Sequence, residues 1–222
     1  MSLAPAPTRI KVSGITQPED ARLAAELGVD LAACVFFAKS PRFVTMSTAW
    51  AIRCALPAHV GLVGIFVDAP MPLVQHVVYH CALDHAQLFG AESRADVDAL
   101  KPHAFKAVTI DRPGAVDRAI RAHLGIRPGR HEAPALLVHL IGAASREWGC
   151  VAHAAGKVPL LLASSALSPA SIGEAVRVAR PWGLDVWDVV ESAPGHLDPN
   201  RLEALVAAVR AADRAAAAGL EA

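Results

Sequence analysis

The sequence predicts a single α/β domain folded as a closed (β/α)8 TIM barrel. Eight short apolar segments alternate with segments of helical period, and most of these strands are apolar throughout, which indicates a parallel sheet covered by helices on both faces. The 222 residues are 54% hydrophobic and 19% charged, enough to bury one such core. An open doubly wound sheet is disfavoured because no Gly-x-Gly-x-x-Gly follows the first strand.

Helix start and stop signals place the first four strand–helix units. Thr16-Gln17-Pro18-Glu19 has the spacing of a capping box with proline in the first helical turn. Gly28 suits the left-handed position that closes this helix, and Ser93 is predicted to cap the fourth helix. The predicted strands are 9–14, 30–37, 61–67 and 84–88, and the predicted helices are 18–27, 47–56, 70–80 and 93–100.

The second half repeats the pattern after one irregular segment. Residues 125–132 are basic, contain Gly and Pro without a period, and are predicted to form a surface loop. The predicted strands are 104–110, 135–141, 158–163 and 184–190, and helices are predicted to begin at Pro113, Ser145, Ser168 and Asp198. The domain is expected to span 9–215, between a loose tail at 1–8 and an Ala-rich tail at 216–222.

Composition favours a small-molecule ligand. The net charge is zero and the pI is near 7.2, so no global field favours nucleic acid or an anionic membrane. No apolar run reaches the roughly 18 residues that a membrane span needs. The 4 cysteines are scattered and no signal peptide precedes them, which predicts reduced thiols in the cytoplasm. Apolar, Ala-rich helix surfaces allow a monomer or a homodimer.

Two pairs of side chains have the spacing of half a metal site. His76 and His80 lie one helical turn apart, and Cys150 and His153 lie three residues apart. Each pair falls on a predicted outer helix without a third and fourth ligand, so no metal site is predicted, and no cofactor is expected.

In a barrel, the carboxyl ends of the strands and the loops after them form the site. The first strand ends in Lys11-Val12-Ser13-Gly14, and the second is followed by the loop 37–42, which contains Arg42. The remaining predicted strand ends carry Asp68, Phe89, Asp111, His139, Ser164, Ser165, Trp187 and Asp188.

At these positions the sequence resembles the phosphoribosylanthranilate isomerase family, TIM barrels of the tryptophan pathway. The resemblance runs from about residue 10 to 210, and it depends on the order and spacing of several motifs together. It implies an Amadori rearrangement of a phosphoribosylated anthranilate. The motifs are Lys11-Val12-Ser13-Gly14-Ile15-Thr16, Val35-Phe36-Phe37 with Lys39-Ser40-Pro41-Arg42, Gly64-Ile65-Phe66-Val67-Asp68, Ala86-Gln87-Leu88-Phe89-Gly90 with Glu92, and Glu191-Ser192-Ala193-Pro194-Gly195.

The resemblance also shows where the catalytic pair departs from the family. The reaction needs an acid that opens the ribose ring and a base that removes the C2 proton. The family uses the cysteine of a Lys-x-Cys-Gly motif as base and an aspartate ending strand six as acid, whereas this chain has Ser13 and His139. The pKa of an aliphatic hydroxyl such as that of Ser13 cannot be lowered far enough to give an anion at neutral pH, whereas the pKa of a thiol can. An imidazolium at His139 could still donate the ring-opening proton. We expect this pair to perform the family reaction poorly.

The glycine-rich phosphate loops also differ. The loop after strand six is shortened, the one after strand seven reads Ser165-Ala166, and the one after strand eight reads Trp187-Asp188-Val189. Asp188 brings negative charge, and β-branched Val189 disfavours a left-handed turn. We expect phosphate binding to be lost, unless hydroxyls such as Ser164 and Ser165 with a helix amide end supply donors instead.

The remaining ligand contacts follow from the same resemblance. Arg42 is expected to pair with a ligand carboxylate, although a nearby protein acid would satisfy it equally. Lys11 and Gln87 belong to substrate-binding motifs. Phe89 stands where the family has a histidine, and with Trp187 it would either stack on a ligand ring or plug the mouth.

The sequence therefore favours a diverged family member that binds or converts a different small carboxylated ligand. Two alternatives stay open: a residual or altered phosphoribosylanthranilate isomerase, and a binding or regulatory protein without catalysis. If the fold brings them together, Ser13, His139 and Asp111 would form a nucleophilic triad in which Asp111 orients the imidazole.

Overall fold

Eight parallel strands close into a barrel, as the sequence predicts. The computed structural model describes residues 6–100, 103–112, 134–142 and 146–218 and the single positions Ala115, Arg118 and Ala122. Each strand pairs with the next one along the chain, and the eighth pairs with the first. The strands are β1 (Arg9–Ser13), β2 (Leu31–Val35), β3 (Gly61–Phe66), β4 (His85–Leu88), β5 (Ala104–Ile110), β6 (Leu136–Leu140), β7 (Leu160–Ser164) and β8 (Gly183–Val186).

Helices follow the strands and cover the barrel. Among the described residues, no helix is both long enough and apolar enough to cross a membrane. The predicted helix at 113–124 and the loop at 125–132 lie outside the described residues except for three single positions, and Ser145 is also outside them. The helices are α1 (Pro18–Glu26), α2 (Met46–Ala55), α3 (Met71–His80), α4 (Arg94–Ala99), α5 (Gly149–Ala155), α6 (Ile172–Ala179) and α7 (Pro199–Ala218).

Side-chain alternation along the strands divides the core into two layers. Even-numbered strand residues such as Ile10 and Leu162 pack beneath the helices, and odd-numbered residues such as Leu161 fill the barrel interior. Lys11 and Asp185 also carry odd numbers, and both are buried. The alternation therefore places an ion pair inside the barrel, where the neighbouring strands supply apolar residues.

The end of the barrel sequence differs from the prediction. β8 stops at Val186, and a single turn of 3₁₀ helix (Asp188–Val190) follows it. Two short antiparallel strands, β9 (Glu191–Ala193) and β10 (His196–Leu197), come next and were not predicted. The predicted strand 184–190 was too long because Trp187, Val189 and Val190 continue its apolar character beyond the point where pairing ends.

Two predictions about chain ends and caps also require correction. Gln17, not Thr16, is the N-cap of α1, and the Thr16 hydroxyl donates to the Gly195 carbonyl oxygen at 2.6 Å instead. Ser93 does cap α4, in a capping box with Asp96. Thr8, placed in the tail by the sequence, is buried and its hydroxyl donates to Asp213 Oδ1 at 2.6 Å.

Candidate active site

A pocket of about 400 Å³ opens at the carboxyl ends of the strands. This size suits a small molecule, and barrels place their sites at this face. The walls are mostly apolar, with contributions from Val35, Phe37, Ile65, Phe89, Leu137 and Trp187. The polar side chains that line it are Ser13, Ser40, Arg42, Gln87, His139 and Asp185.

A buried polar network joins β1 to β8 at one side of this pocket. Lys11 and Asp185 are register partners on neighbouring strands, and Lys11 Nζ lies 2.9 Å from Asp185 Oδ1. Ser13 Oγ accepts a hydrogen bond from Lys11 Nζ at 2.5 Å and donates to Asp185 Oδ1 at 2.6 Å. Burial lowers the pKa of Lys11, and the charge and hydrogen bond of Asp185 act against this shift. Ser13 is thus held between a cation and an anion.

His139 lies on β6, two strands away from Asp185 on β8, and both residues line the pocket. It pairs in register with Ala163, which in turn pairs with Asp185. Its ring contacts Phe89 at 6.0 Å and Trp187 at 5.0 Å between centroids, and its buried Nδ1 has no hydrogen-bond partner. Burial lowers the pKa of His139, opposed by the charges of Asp185 and Asp188. Burial therefore favours the neutral form of the imidazole, and the ring lines the pocket.

The structure does not assemble the triad of Ser13, His139 and Asp111. Asp111 is exposed, does not line the pocket, and pairs with neighbouring Arg112 at 3.5 Å. The β5 residue in register with His139 is Thr109. Ser13 bonds to Lys11 and Asp185 and not to the imidazole. The prediction that Asp111 orients His139 is therefore wrong, because its side chain lies past the end of β5 and turns to solvent.

Arg42 forms an ion pair with Glu191 at the pocket wall. Arg42 Nε lies 2.8 Å from Glu191 Oε1, and Arg42 Nη2 also donates to Glu191. Hydrogen bonding to this carboxylate raises the pKa of Arg42. Gly14 permits the contact, since a Cβ there would collide with Arg42 Cδ. A protein acid thus occupies one edge of the guanidinium, and Nη1 has no partner among the described residues.

At the rim formed by the ends of β7 and β8, side-chain oxygens accept hydrogen bonds from two backbone amides. Ser164 Oγ accepts from Ala166 N–H at 3.1 Å, and Asp188 Oδ1 accepts from Val189 N–H at 2.9 Å. Ser165 and Asp188 are exposed. Of the predicted rim residues, Trp187 lines the pocket, whereas Ser164, Ser165 and Asp188 do not.

Comparison with known proteins identifies the family. A family model described as N-(5'phosphoribosyl)anthranilate (PRA) isomerase matches residues 10–208. The N-(5'-phosphoribosyl)anthranilate isomerase of Pseudomonas putida (strain W619) is 36% identical over 205 residues, covering 92% of this chain and 98% of that protein. The same-named protein of Myxococcus xanthus (strain DK1622) is 35% identical over 209 residues, covering 91% and 96%. This chain belongs to the N-(5'-phosphoribosyl)anthranilate isomerase family.

Solved structures of family members agree with this assignment. The Thermotoga maritima phosphoribosyl anthranilate isomerase aligns with a TM-score of 0.82 at 26% identity, and the Thermus thermophilus enzyme with 0.75 at 30%, each covering 92% of this chain and 99% of the other. A further isomerase structure, at a TM-score of 0.80, 26% identity and the same coverage, contains reduced 1-(o-carboxyphenylamino)-1-deoxyribulose 5-phosphate.

Most of the site positions predicted from the family resemblance meet in the pocket of this family member. Lys11 lies buried beside the pocket residues Ser13 and Asp185, and Gln87 is buried with its Oε1 unpartnered. The prediction missed Asp185 and Glu191. Asp185 is a charged residue within an apolar strand, which is a detectable signal, whereas nothing local in the sequence links Glu191 to Arg42. Together in the pocket are Ser13, Arg42, Gln87, Phe89, His139 and Trp187.

Nothing in the described part of the chain resembles a metal centre. No three His, Cys, Asp or Glu side chains there lie together as ligands would. The rings of His76 and His80 lie 4.2 Å apart on the exposed face of α3. None of the four cysteines forms a disulfide bond.

Proposed function

We propose that this protein catalyses the family's rearrangement, in which an N-ribosylated anthranilate becomes a 1-arylamino-1-deoxyketose, with the proton-transfer roles of positions 13 and 139 exchanged. The observation that carries the proposal is that His139, whose Nδ1 has no partner, lines the same pocket as Ser13 and Asp185 of the buried Lys11–Ser13–Asp185 network. The names of the relatives support this reaction over the different ligand that the sequence favoured.

Position 13 supplies the proton that opens the sugar ring. Ser13 faces the pocket and accepts a hydrogen bond from Lys11. When its hydroxyl turns from Asp185 to the ring oxygen, Ser13 passes on its proton and takes one from Lys11. Burial, which lowers the pKa of Lys11, favours release of this proton. The C1–O bond breaks and the aryl nitrogen forms an iminium with C1.

Position 139 removes the C2 proton. Because burial lowers the pKa of His139, the imidazole is in its basic form at neutral pH. The C2 proton moves to the imidazole of His139. The electrons of the broken C2–H bond form a C1–C2 double bond, and the iminium nitrogen becomes neutral. The imidazolium then protonates C1, and the C2 hydroxyl returns a proton through Ser13 to Lys11. All protons are thereby restored and the product is the ketose.

The pocket walls suit the aryl part of this substrate. Phe89 and Trp187 flank His139 and offer apolar ring surfaces. The unpartnered Nη1 of Arg42 can donate to the anthranilate carboxylate while Glu191 fixes the rest of the guanidinium. Gln87 Oε1 offers an acceptor for a sugar hydroxyl.

Turnover of freshly prepared N-(5'-phosphoribosyl)anthranilate, and of its counterpart without phosphate, tests the proposal. We expect the unmodified protein to convert at least one of them, and His139→Gln to lower kcat by about 10²- to 10⁴-fold, the usual contribution of a general base. His59→Gln, at an exposed histidine outside the pocket, is the matched control and should stay within about twofold. Absence of conversion of both substrates by correctly folded protein would refute the proposal.

Binding of a carboxylated aromatic ligand without turnover is the second candidate. The observation that favours it is that both hydrogen-bonding directions of Ser13 are already used inside the protein. In that case an unreactive reduced product analogue binds, neither substrate is converted, and Arg42→Met weakens the binding.

A further inference from the structure

The carboxylate of Glu191 occupies one edge of the Arg42 guanidinium and leaves the other edge available. Arg42 Nε lies 2.8 Å from Glu191 Oε1, and Arg42 Nη2 donates to Glu191 Oε2. The second edge of the guanidinium is formed by Nη1 and the remaining N–H of Nη2, and these donors have no partner among the described residues. Arg42 lines the pocket and Glu191 does not. The free edge is therefore the one that a ligand can use.

The β9–β10 hairpin fixes the position of Glu191. Gly195 N–H donates to Glu191 Oε1 at 3.1 Å, and Glu191 pairs with Leu197 across the hairpin. Arg201, on α7, donates to the Glu191 carbonyl oxygen. Gly195 has a φ of +80°, which a glycine adopts without strain. The carboxylate of Glu191 is therefore held in place by the protein itself.

The loop after β1 packs against the same ion pair. A Cβ on Gly14 would collide with Arg42 Cδ and would lie 3.3 Å from Glu191 Oε1. The Thr16 hydroxyl donates to the Gly195 carbonyl oxygen at 2.6 Å, which joins this loop to the hairpin. The stem of Arg42 thus lies between Gly14 and Glu191, and this packing limits the positions that its guanidinium can take.

Glu191 has two effects on a ligand carboxylate, and they have opposite signs. Its negative charge repels the ligand carboxylate across the guanidinium. Its hydrogen bonds hold Arg42 in one orientation, so that less rotamer freedom of a long side chain is lost when the ligand binds. The side chain of Arg42 is 20% exposed, and solvent at the pocket screens the repulsion. We expect the orienting effect to be the larger one.

We propose that Glu191 is a positioning residue that turns the Nη1–Nη2 edge of Arg42 toward the pocket, where this edge receives the carboxylate of the aromatic ligand through two hydrogen bonds. The inference rests on the proposed function, since it concerns the anthranilate carboxylate of that substrate. It also gives the β9–β10 hairpin a role in ligand selection, because the hairpin holds the carboxylate of Glu191.

Calorimetric titration with two unreactive analogues tests this role separately from turnover. The probes are reduced 1-(o-carboxyphenylamino)-1-deoxyribulose 5-phosphate, which is the ligand of a crystallised relative, and the same compound without its carboxylate. We expect the unmodified protein to bind the carboxylated analogue roughly tenfold more tightly or better, as hydrogen bonds between charged groups allow. The ratio of the two affinities measures the preference for a carboxylate.

Glu191→Gln should reduce this preference by about three- to tenfold, because the guanidinium loses its fixed orientation. The glutamine keeps Oε1 as an acceptor for Gly195 N–H, but its amide nitrogen cannot accept from Arg42 Nη2. The fold is thereby preserved while the second bond to Arg42 is lost. Glu203→Gln removes the same charge from an exposed position on α7 and should leave the preference within about twofold.

The direction of the change separates positioning from the other roles of Glu191. A merely structural role would weaken both analogues equally and leave the preference unchanged, and dominant repulsion would make the preference larger in Glu191→Gln. Either result would overturn the inference and leave the proposed function standing. Equal affinity of the unmodified protein for the two analogues would also overturn it. Failure of both analogues to bind correctly folded protein would refute the proposed function and the inference with it.

Discussion

Ser13 lies inside the barrel between Lys11 and Asp185, and this placement decides what a hydroxyl can do there. A lone serine is a poor base, but one that accepts from an ammonium group can pass on that group's proton. The exchange of cysteine for serine was visible in the sequence. Its chemical meaning was not, because Asp185 lies within β8 and only folding brings it to Ser13.

We expect the buried Lys11–Asp185 ion pair to contribute to the free energy of unfolding. Lys11→Met should lower the free energy of unfolding by about 3–5 kcal/mol, because it leaves the buried Asp185 carboxylate unpaired. Lys11→Met combined with Asp185→Leu should recover most of the loss. Urea denaturation of the three proteins measures this, and a single variant within about 1 kcal/mol of the unmodified protein would show that the pair is not needed.

The role of His139 as base predicts how kcat/KM depends on pH. A base must be deprotonated to work, and burial lowers the pKa of His139 from its ordinary 6.5. The value of kcat/KM should therefore rise with pH through a pKa below 6.5 and level off by neutral pH. The pH–rate profile should lose this limb in His139→Gln. A profile that instead falls across the same range would mean that the imidazolium donates a proton.

At the scale of elements, a buried ion pair between Lys106 and Glu92 holds the loop after β4, and this loop positions Phe89 at the pocket. Lys106 points outward from β5, and its Nζ lies 3.0 Å from Glu92 Oε2 and 2.6 Å from the Gly90 carbonyl oxygen. This fixes the loop after β4, which carries Phe89 beside His139. Gly90 packs so closely against Asp68 that a Cβ would collide with the Asp68 carboxylate.

Gly90→Ala should therefore destabilise the protein by about 1–3 kcal/mol, because the loop or Asp68 must move. Gly173→Ala is the matched control, since no atom lies within 4 Å of a Cβ built there and alanine favours the helix α6. Thermal unfolding should show a lower Tm for the first variant and an unchanged or higher Tm for the second. An equal Tm for the two variants would contradict the close packing of Gly90 against Asp68.

The elements show which parts of a fold can be predicted from sequence. All eight strands were found because burial on both faces leaves most of them apolar throughout, and because the helix start and stop signals delimit the others. The β9–β10 hairpin was missed because Ser192, Ala193 and His196 are exposed and give no apolar pattern. The orientation of strand-end side chains was also inaccessible, since alternation beyond the last paired residue fails, as at Asp111.

At the scale of the whole molecule, the residue that precedes β1 is hydrogen-bonded to the last helix, α7. Thr8 N–H donates to Asp213 Oδ2 at 3.1 Å, and Arg210 Nη1 donates to the Thr8 carbonyl oxygen at 2.6 Å. Arg210 also reaches the Gly28 carbonyl oxygen at 3.2 Å. These bonds hold the start of β1 against α7 and help to close the barrel.

Asp213→Ala should lower the free energy of unfolding by about 1–3 kcal/mol, because it removes the acceptor of Thr8 and leaves the buried threonine unsatisfied. The adjacent Arg214→Ala, at an exposed position, should change it by less than about 0.5 kcal/mol. Chemical denaturation of both variants tests the contribution of this closure. An unchanged free energy of unfolding in Asp213→Ala would show that the contact between Thr8 and Asp213 does not stabilise the fold.

The measurement that most directly tests the central claim is single-turnover conversion of N-ribosylated anthranilate, with and without phosphate, carrying deuterium or hydrogen at C2. If His139 removes the C2 proton, the deuterated substrate reacts more slowly in the unmodified protein, and His139→Gln loses conversion while His59→Gln keeps it. Conversion at the same rate in His139→Gln and the unmodified protein, or no conversion of any substrate by the unmodified protein, would contradict the assignment of His139 as the base.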